Sequence, residues 1–171
     1  EVEIPDSVIY VDNFAFYGCE YLTKVTMADS VTEIGAGAFE HCVALTDIKL
    51  SSSITAISDY LFNNCKKLTT VAIPEAVTEI GDGAFMDDVS LKEIIIPDSV
   101  TEIGISAFAG CYAAETLILG ENLTKIGEAA FLDCFNLEAI YFTGNAPAAI
   151  DADAFWNTSS SMKMYFFEGS E

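Results

Sequence analysis

Five cysteines, one histidine and two files of carboxylates are the side chains of this sequence whose types and spacing could make a chemical site. The cysteines are Cys19, Cys42, Cys65, Cys111 and Cys134. A zinc or redox centre needs cysteines paired at short spacing, and no such pair occurs. His41 would need a nucleophile or an orienting acid held with it in a cleft to act as a general base, and its surroundings in the sequence offer neither. Asp6, Asp29, Glu75, Asp98 and Glu121 recur at one position of a repeat, and Glu33, Glu79 and Glu102 at another. Calcium demands six or more oxygens converging on one point, whereas a straight file of acids reads as a solvated edge. No phosphate loop, nucleophile elbow, zincin helix or EF-hand pattern is present. The sequence therefore predicts no enzyme, no cofactor and no metal.

The spacing of those residues points instead to the elements that carry them. Written in rows of 23, the chain falls into columns. One column is Phe16, Phe39, Phe62, Phe85, Phe108 and Phe131, with Phe155 after a one-residue slip in the seventh row. Others are Val8, Val31, Ile54, Val77, Val100, Leu123, and Val25, Ile48, Val71, Ile94, Leu117, Ile140. The cysteines fill one further column, which reads as a buried file of small apolar side chains. Five thiols pointing the same way do not make a disulfide framework. In-phase columns mean a solenoid, in which each row is one coil and neighbouring coils bury each other's apolar faces.

Within a row, Ile48 and Leu50 stand two apart, the period of a strand. Ala38, Cys42 and Leu45 stand at i, i+4 and i+7, which predicts a short helix on the outer side. The glycine before it (Gly35, Gly81, Gly104, Gly127) is expected as an entry turn. The phrase Ser30–Ile34 is expected to add a second short extended piece. Asp88 takes the cysteine position of the fourth row. A buried unpaired carboxylate costs several kcal/mol, on the order of the penalty for any stranded polar group. The coil is therefore expected either to open to water there or to place backbone N–H groups against Asp88.

Composition bounds the rest. The 171 residues are 51% hydrophobic and 12% aromatic, which suits one domain, residues 1–171, with a full core. The formal net charge of −20 sets the surface against nucleic acid and anionic membranes. No apolar run is long enough to span a bilayer, so no membrane insertion of this segment is expected. The opening "EVEIPDSV" reads as the middle of a repeat, and the chain is expected to be a piece of a longer protein.

The pattern apolar-Pro-x-x-Val-Thr-x-Ile-Gly-x-x-Ala-Phe-x-x-Cys-x-x-Leu-x-x-Ile-x-Ile resembles the BspA-like class of leucine-rich repeats. The resemblance implies an α/β repeat solenoid of about seven 23-residue coils, curved, with a parallel sheet on the concave face and short helices outside. It also implies a bacterial cell-surface or secreted protein of adhesin type, extracellular, whose partners are other proteins such as host matrix components. Two alternatives stand beside that reading, a structural spacer with no ligand and a calcium-dependent or glycan-binding surface protein. Exposed coil ends would also allow end-to-end self-association.

Because the repeated phrase is frame, specificity is expected where rows differ. Between the two inward residues of each strand lie Thr26, Lys49, Ala72, Ile95, Ile118, Tyr141 and Tyr165. Alternation turns this column to solvent on the concave face. It changes from polar to apolar along the chain, and Ala72, Ile95, Ile118, Tyr141 and Tyr165 are the candidate ligand-binding stripe. Solvent-facing apolar stripes with tyrosine mark interfaces, although aromatic and β-branched pairs also stabilise sheets.

Overall fold

The computed structural model describes residues 1–166. Fourteen short strands follow one another: β1 (Val2–Ile4), β2 (Tyr10–Val11), β3 (Lys24–Met27), β4 (Glu33–Ile34), β5 (Asp47–Lys49), β6 (Ala56–Ile57), β7 (Glu79–Ile80), β8 (Glu93–Ile95), β9 (Glu102–Ile103), β10 (Thr116–Leu119), β11 (Lys125–Ile126), β12 (Ala139–Phe142), β13 (Ala149–Ile150) and β14 (Lys163–Phe166). All pairings are parallel, and partners are one row apart, as in Val25↔Ile48 and Leu117↔Ile140. The longer strands form one side of the solenoid and the two-residue strands, from the Ser30–Ile34 phrase and its equivalents, form a second.

The core is the set of columns. Phe39, Phe62, Phe85, Phe108 and Phe131 are fully buried. Their rings stack coil on coil, with centroids 4.9 Å apart for Phe85 and Phe108 and 5.1 Å for Phe131 and Phe155. Parallel rings at this distance are in the offset-stacked range that adds to plain area burial.

The third side of each coil departs from expectation. There is no helix among the described residues, and the solenoid is built of strands and turns alone. In the first coil the N–H groups of Ala15, Tyr17, Cys19 and Leu22 bond to carbonyls three residues back, which makes consecutive β-turns. The intervening N–H groups of Phe14, Phe16 and Gly18 bond instead to Ala36, Ala38 and Glu40 of the next coil, at 2.8–3.0 Å. A helix would keep every one of those bonds to itself. It is also excluded by backbone shape, since Gly18, His41, Asn64, Asp87, Gly110, Asp133 and Asn157 all have φ between 58° and 75°. Glycine, asparagine, aspartate and histidine tolerate that left-handed conformation best. Ala38, Cys42 and Leu45 do face inward together, but successive turns put them there.

The glycine of the Thr-Glu-Ile-Gly phrase does stand at the entry of the turns, since the Gly35 and Gly127 carbonyls accept the Ala38 and Ala130 N–H groups at 3.3 Å, but it is not there to supply a left-handed backbone. Gly35, Gly81, Gly104 and Gly127 are absent from the positive-φ positions. They answer to space. A Cβ at Gly104 would stand 2.7 Å from the Gly81 carbonyl carbon, and one at Gly127 2.8 Å from that of Gly104. With no side chain in the way, Gly81, Gly104 and Gly127 donate to Ile57, Ile80 and Ile103 at 2.7–2.9 Å.

The third coil lacks this glycine and has Ser58. Its hydroxyl bonds to the Ile34 carbonyl in place of the backbone N–H. Both sheets break at this coil. The two-residue strands form one sheet of β2 and β4 and another that starts at β6, and the longer strands form β1-β3-β5 and β8-β10-β12-β14. Residues 70–73, which should link β5 to β8, form no strand. The neighbouring rings of Phe39 and Phe62 are 5.9 Å apart, the widest step among the stacked phenylalanines of the described residues. A Cβ in the glycine column thus explains a seam between the second and third coils. Asp151 occupies the same column in the seventh coil, where one extra residue precedes it, and its N–H still reaches Ile126 at 3.1 Å.

Cys42, Cys65, Cys111 and Cys134 are buried, and each thiol donates to the carbonyl of a phenylalanine in the preceding coil at 3.1–3.3 Å. Burial pushes the Cys42 thiol up to about 11 and that of Cys134 to about 12. Cys19, in the first coil, is exposed. Asp88 is fully buried, so its coil has not opened. Its Oδ1 accepts the Cys65 backbone N–H at 2.6 Å, which meets the second of the two expectations, with the donor coming from the preceding coil. Oδ2 has no partner. Burial above all, with the neighbouring Asp87 charge adding to it, pushes the Asp88 carboxyl well above the usual carboxylate range.

Three outcomes follow from the frame. Phe85→Ala should lower stability by about 3–5 kcal/mol in denaturant unfolding, the range of buried Phe truncations, and a near-neutral result would remove the Phe column from the core. Among the cysteines, only Cys19 should react with a chromogenic disulfide before unfolding. For Asp88, the unfolded chain ionises near pH 4 while the folded state stays neutral, so stability from this group declines as pH rises above that point, by about 1.4 kcal/mol per pH unit until the folded-state pKa is reached. Asp88→Cys should therefore raise the Tm at pH 7 by more than at pH 4; an equal shift at both would show that Asp88 does not hold its proton.

Candidate binding face

The sequence-predicted stripe lies on the longer-strand side. Ile95 pairs in register with Ile118, Ile118 with Tyr141, and Tyr141 with Tyr165. The flanking residues Ile94, Leu117 and Ile140 are buried, so alternation in β8, β10 and β12 turns Ile95, Ile118 and Tyr141 to solvent, whereas in the last strand Met164 and Phe166 are exposed along with Tyr165. Ile95 is 48% and Tyr165 43% exposed, with Ile118 and Tyr141 half-buried between them. The two tyrosine rings stack at 4.9 Å and 13°. Beside them is a hollow of about 470 Å³ lined by Glu115, Glu138, Ser161, Lys163 and both tyrosines. It combines flat aromatic faces with two carboxylates and one ammonium, a set able to hold polar or cationic groups against an apolar floor.

Ala72 does not join this stripe. It is exposed, but it lies in the stretch of residues 70–73 that forms no strand. There it lines a different hollow, of about 320 Å³, with Lys24, Thr26, Asp47, Lys49 and Thr70. Thr26 and Lys49, the polar start of the column, also belong to that hollow.

Two members of the acidic files, Asp29 and Asp98, have a role that the sequence reading missed, and Asp59 and Asp82 share it. Asp29 Oδ1 accepts the Ser52 N–H at 2.9 Å, and Asp98 Oδ1 accepts the Glu121 N–H at 2.9 Å. On the next turn, Asp59 and Asp82 accept the N–H groups of Asp82 and Ile105 at 2.8 and 2.7 Å. Each of these carboxylates caps the backbone of the following coil. The Ser52 N–H holds the Asp29 carboxyl below its ordinary value. The signal was legible as Asp recurring one row apart at positions 59 and 82. Glu79 and Glu102 stand in register in the second sheet, followed by Lys125, whose Nζ is 3.1 Å from Glu102. Among the described residues, no group of three or more His, Cys, Asp or Glu is gathered closely enough to hold a metal ion. His41 is paired with Asn64 through Nδ1 at 2.5 Å and lies edge-on to Tyr17.

Comparison with known proteins fits this architecture. A leucine-rich cell surface protein from Faecalibacterium prausnitzii is 44% identical over 68% of this chain, with a TM-score of 0.66, and the match spans 31% of that longer protein. The leucine-rich repeat protein of T. pallidum is 30% identical, covers 87% of this chain and 72% of its own, and superposes with a TM-score of 0.81. A leucine-rich repeat protein of Bacteroides ovatus shares the fold at 22% identity and a TM-score of 0.60. No curated protein matches. The family model described as the BspA type leucine rich repeat region matches in six copies over residues 1–114 and 80–170, and the chain belongs to that family.

Proposed function

We propose that this solenoid is a non-enzymatic protein-interaction module of a bacterial surface protein, of adhesin type, which engages its partner through the longer-strand face of coils four to seven. The observation that carries this reading is the in-register stripe of Ile95, Ile118, Tyr141 and Tyr165, held partly in solvent. A solvated strand position ordinarily favours polar residues, and here four consecutive coils spend it on isoleucine and tyrosine. Tyrosine offers a large rigid contact area with a polar tip, which is why interfaces use it. The surface placement rests on the relative from Faecalibacterium, named as a cell surface protein.

A spacer that displays other domains is the second reading, and the tight Tyr141–Tyr165 stack favours it, since such a pair also strengthens the sheet. Binding to immobilised host matrix proteins, fibronectin and collagen among them, separates the two. Tyr141→Ser with Tyr165→Ser should weaken retention at least tenfold while the Tm moves by only a few degrees. Undiminished retention together with a large fall in Tm would leave the stripe as sheet packing and support the spacer.

A further inference from the structure

We propose that the seam at the third coil is a second docking site, distinct from the aromatic stripe, for an extended acidic peptide segment of a partner protein. Three independent features meet there. The first is unpaired backbone. Among the described residues, no backbone hydrogen bond joins residues 70–73 to β5, and on the other side the nearest link is the Lys92 N–H to the Thr69 carbonyl at 3.2 Å. The outer edge of β5 and the amides of Thr70 to Ile73 therefore stand as open donors and acceptors in the middle of an otherwise continuous face. A partner strand satisfies such groups by adding to the sheet.

The second is an opened core. Ile48, Val71 and Ile73 are only partly buried, whereas Ile94, Leu117 and Ile140, which continue the Ile48–Val71 column, are 0–2% exposed. The crevice of about 320 Å³ has Val25 and Ile48 in its wall. It can take alternate apolar side chains of an extended peptide.

The third is charge. Residues 51–73 contain Lys66, Lys67 and Asp59, a balance of +1 in a chain whose total is −20. Lys24 and Lys49 line the crevice from the preceding coils, and Lys66 and Lys67 stand in the turn that leads, through Leu68 and Thr69, into the unpaired segment. Against these stand Asp47 in the same lining, its Oδ2 taken by the Thr46 hydroxyl at 2.7 Å, and Glu1, 4.0 Å from Lys24. Lys49 has no ion pair within 4 Å among the described residues, although its charge reaches Asp29. The occupant that fits is a segment with carboxylates on one face of the strand and apolar side chains on the other, an alternation of period two. A basic partner does not fit, because of the lysines.

The test uses a fluorescein-labelled octapeptide of alternating Glu and Val, with Gln–Val and Lys–Val peptides as controls, titrated against the whole chain by fluorescence anisotropy. The Glu–Val peptide should bind at least tenfold more tightly than either control, and more weakly at high salt. Lys49→Glu, at an exposed position, should reduce binding at least tenfold with an unchanged melting curve. Ser58→Gly restores the column glycine, so it should close the seam, raise the Tm and lose the peptide. Hydrogen exchange at Thr70 to Ile73 should be fast in the free protein and slow when the peptide is added. Tyr165→Ser should leave all of this intact, which separates failure here from failure of the stripe. Equal affinity for the Glu–Val and Gln–Val peptides, indifference to Lys49→Glu, or protection appearing at residues 163–166 instead would overturn the proposal. So would concentration-dependent dimerisation abolished by Lys49→Glu, because the site would then serve a second copy.

Discussion

Every feature of this protein depends on the backbone hydrogen bond from one coil to the next. In the regular coils it is made on all three sides, at about 2.7–3.3 Å, while the side chains between coils stack at about 5 Å. Those two distances are compatible only if each column is filled by residues of one shape. Flat phenylalanine rings, small thiols and bare glycines are solutions to the same spacing problem. Where one coil offers a different shape, the error cannot be absorbed sideways, since a one-dimensional stack has no neighbours except the coils above and below.

The same constraint explains why the outer side is built of turns. A helix saturates its own backbone and would leave the coils joined there by side chains alone. Consecutive β-turns use only every second N–H internally, and the remainder are free to reach the next coil. The left-handed residues at Gly18, His41, Asn64 and Asp87 are the geometric condition for that division of donors. The acidic caps extend it, since Asp29, Asp59, Asp82 and Asp98 take N–H groups that the strands and turns leave over. An acidic surface is in this sense partly a structural by-product, with capping carboxylates at four places along the array.

Much of this was legible in the sequence. The columns of Phe16 to Phe131 and of Val8 to Leu123 state the repeat, its register and its core, because burial against an identical neighbour forces identical residues. The placement of Ile95, Ile118, Tyr141 and Tyr165 on one solvent-facing line followed from strand alternation alone. Two things were not read correctly. Apolar residues at i, i+4 and i+7 cannot distinguish a helix from turns that bring the same residues inward, and the telling signal was the Gly/His/Asn/Asp column beside them. The seam was written in a single letter, Ser58 for glycine, whose meaning depends on how close the neighbouring backbone lies. That is a tertiary distance, and periodicity does not contain it.

The opposed direction of the bonds on two sides of the coil has a consequence for how such an array can change length. On the turn side, donors point forward, from Phe14 to Ala36 and from Phe16 to Ala38; in the second sheet they point back, from Thr32 to Ile9 and from Gly35 to Val11. Every regular coil therefore presents the same arrangement of donors and acceptors on its leading face and its complement on its trailing face. Loss or duplication of one whole 23-residue unit leaves each new junction matched, so copy number is a free variable while orientation is not. Unlike units keep their own surfaces through such a change. The separation between the interrupted third coil and the tyrosine-bearing coils is then a ruler graduated in steps of about 5 Å, which gene rearrangement can lengthen or shorten without touching either end.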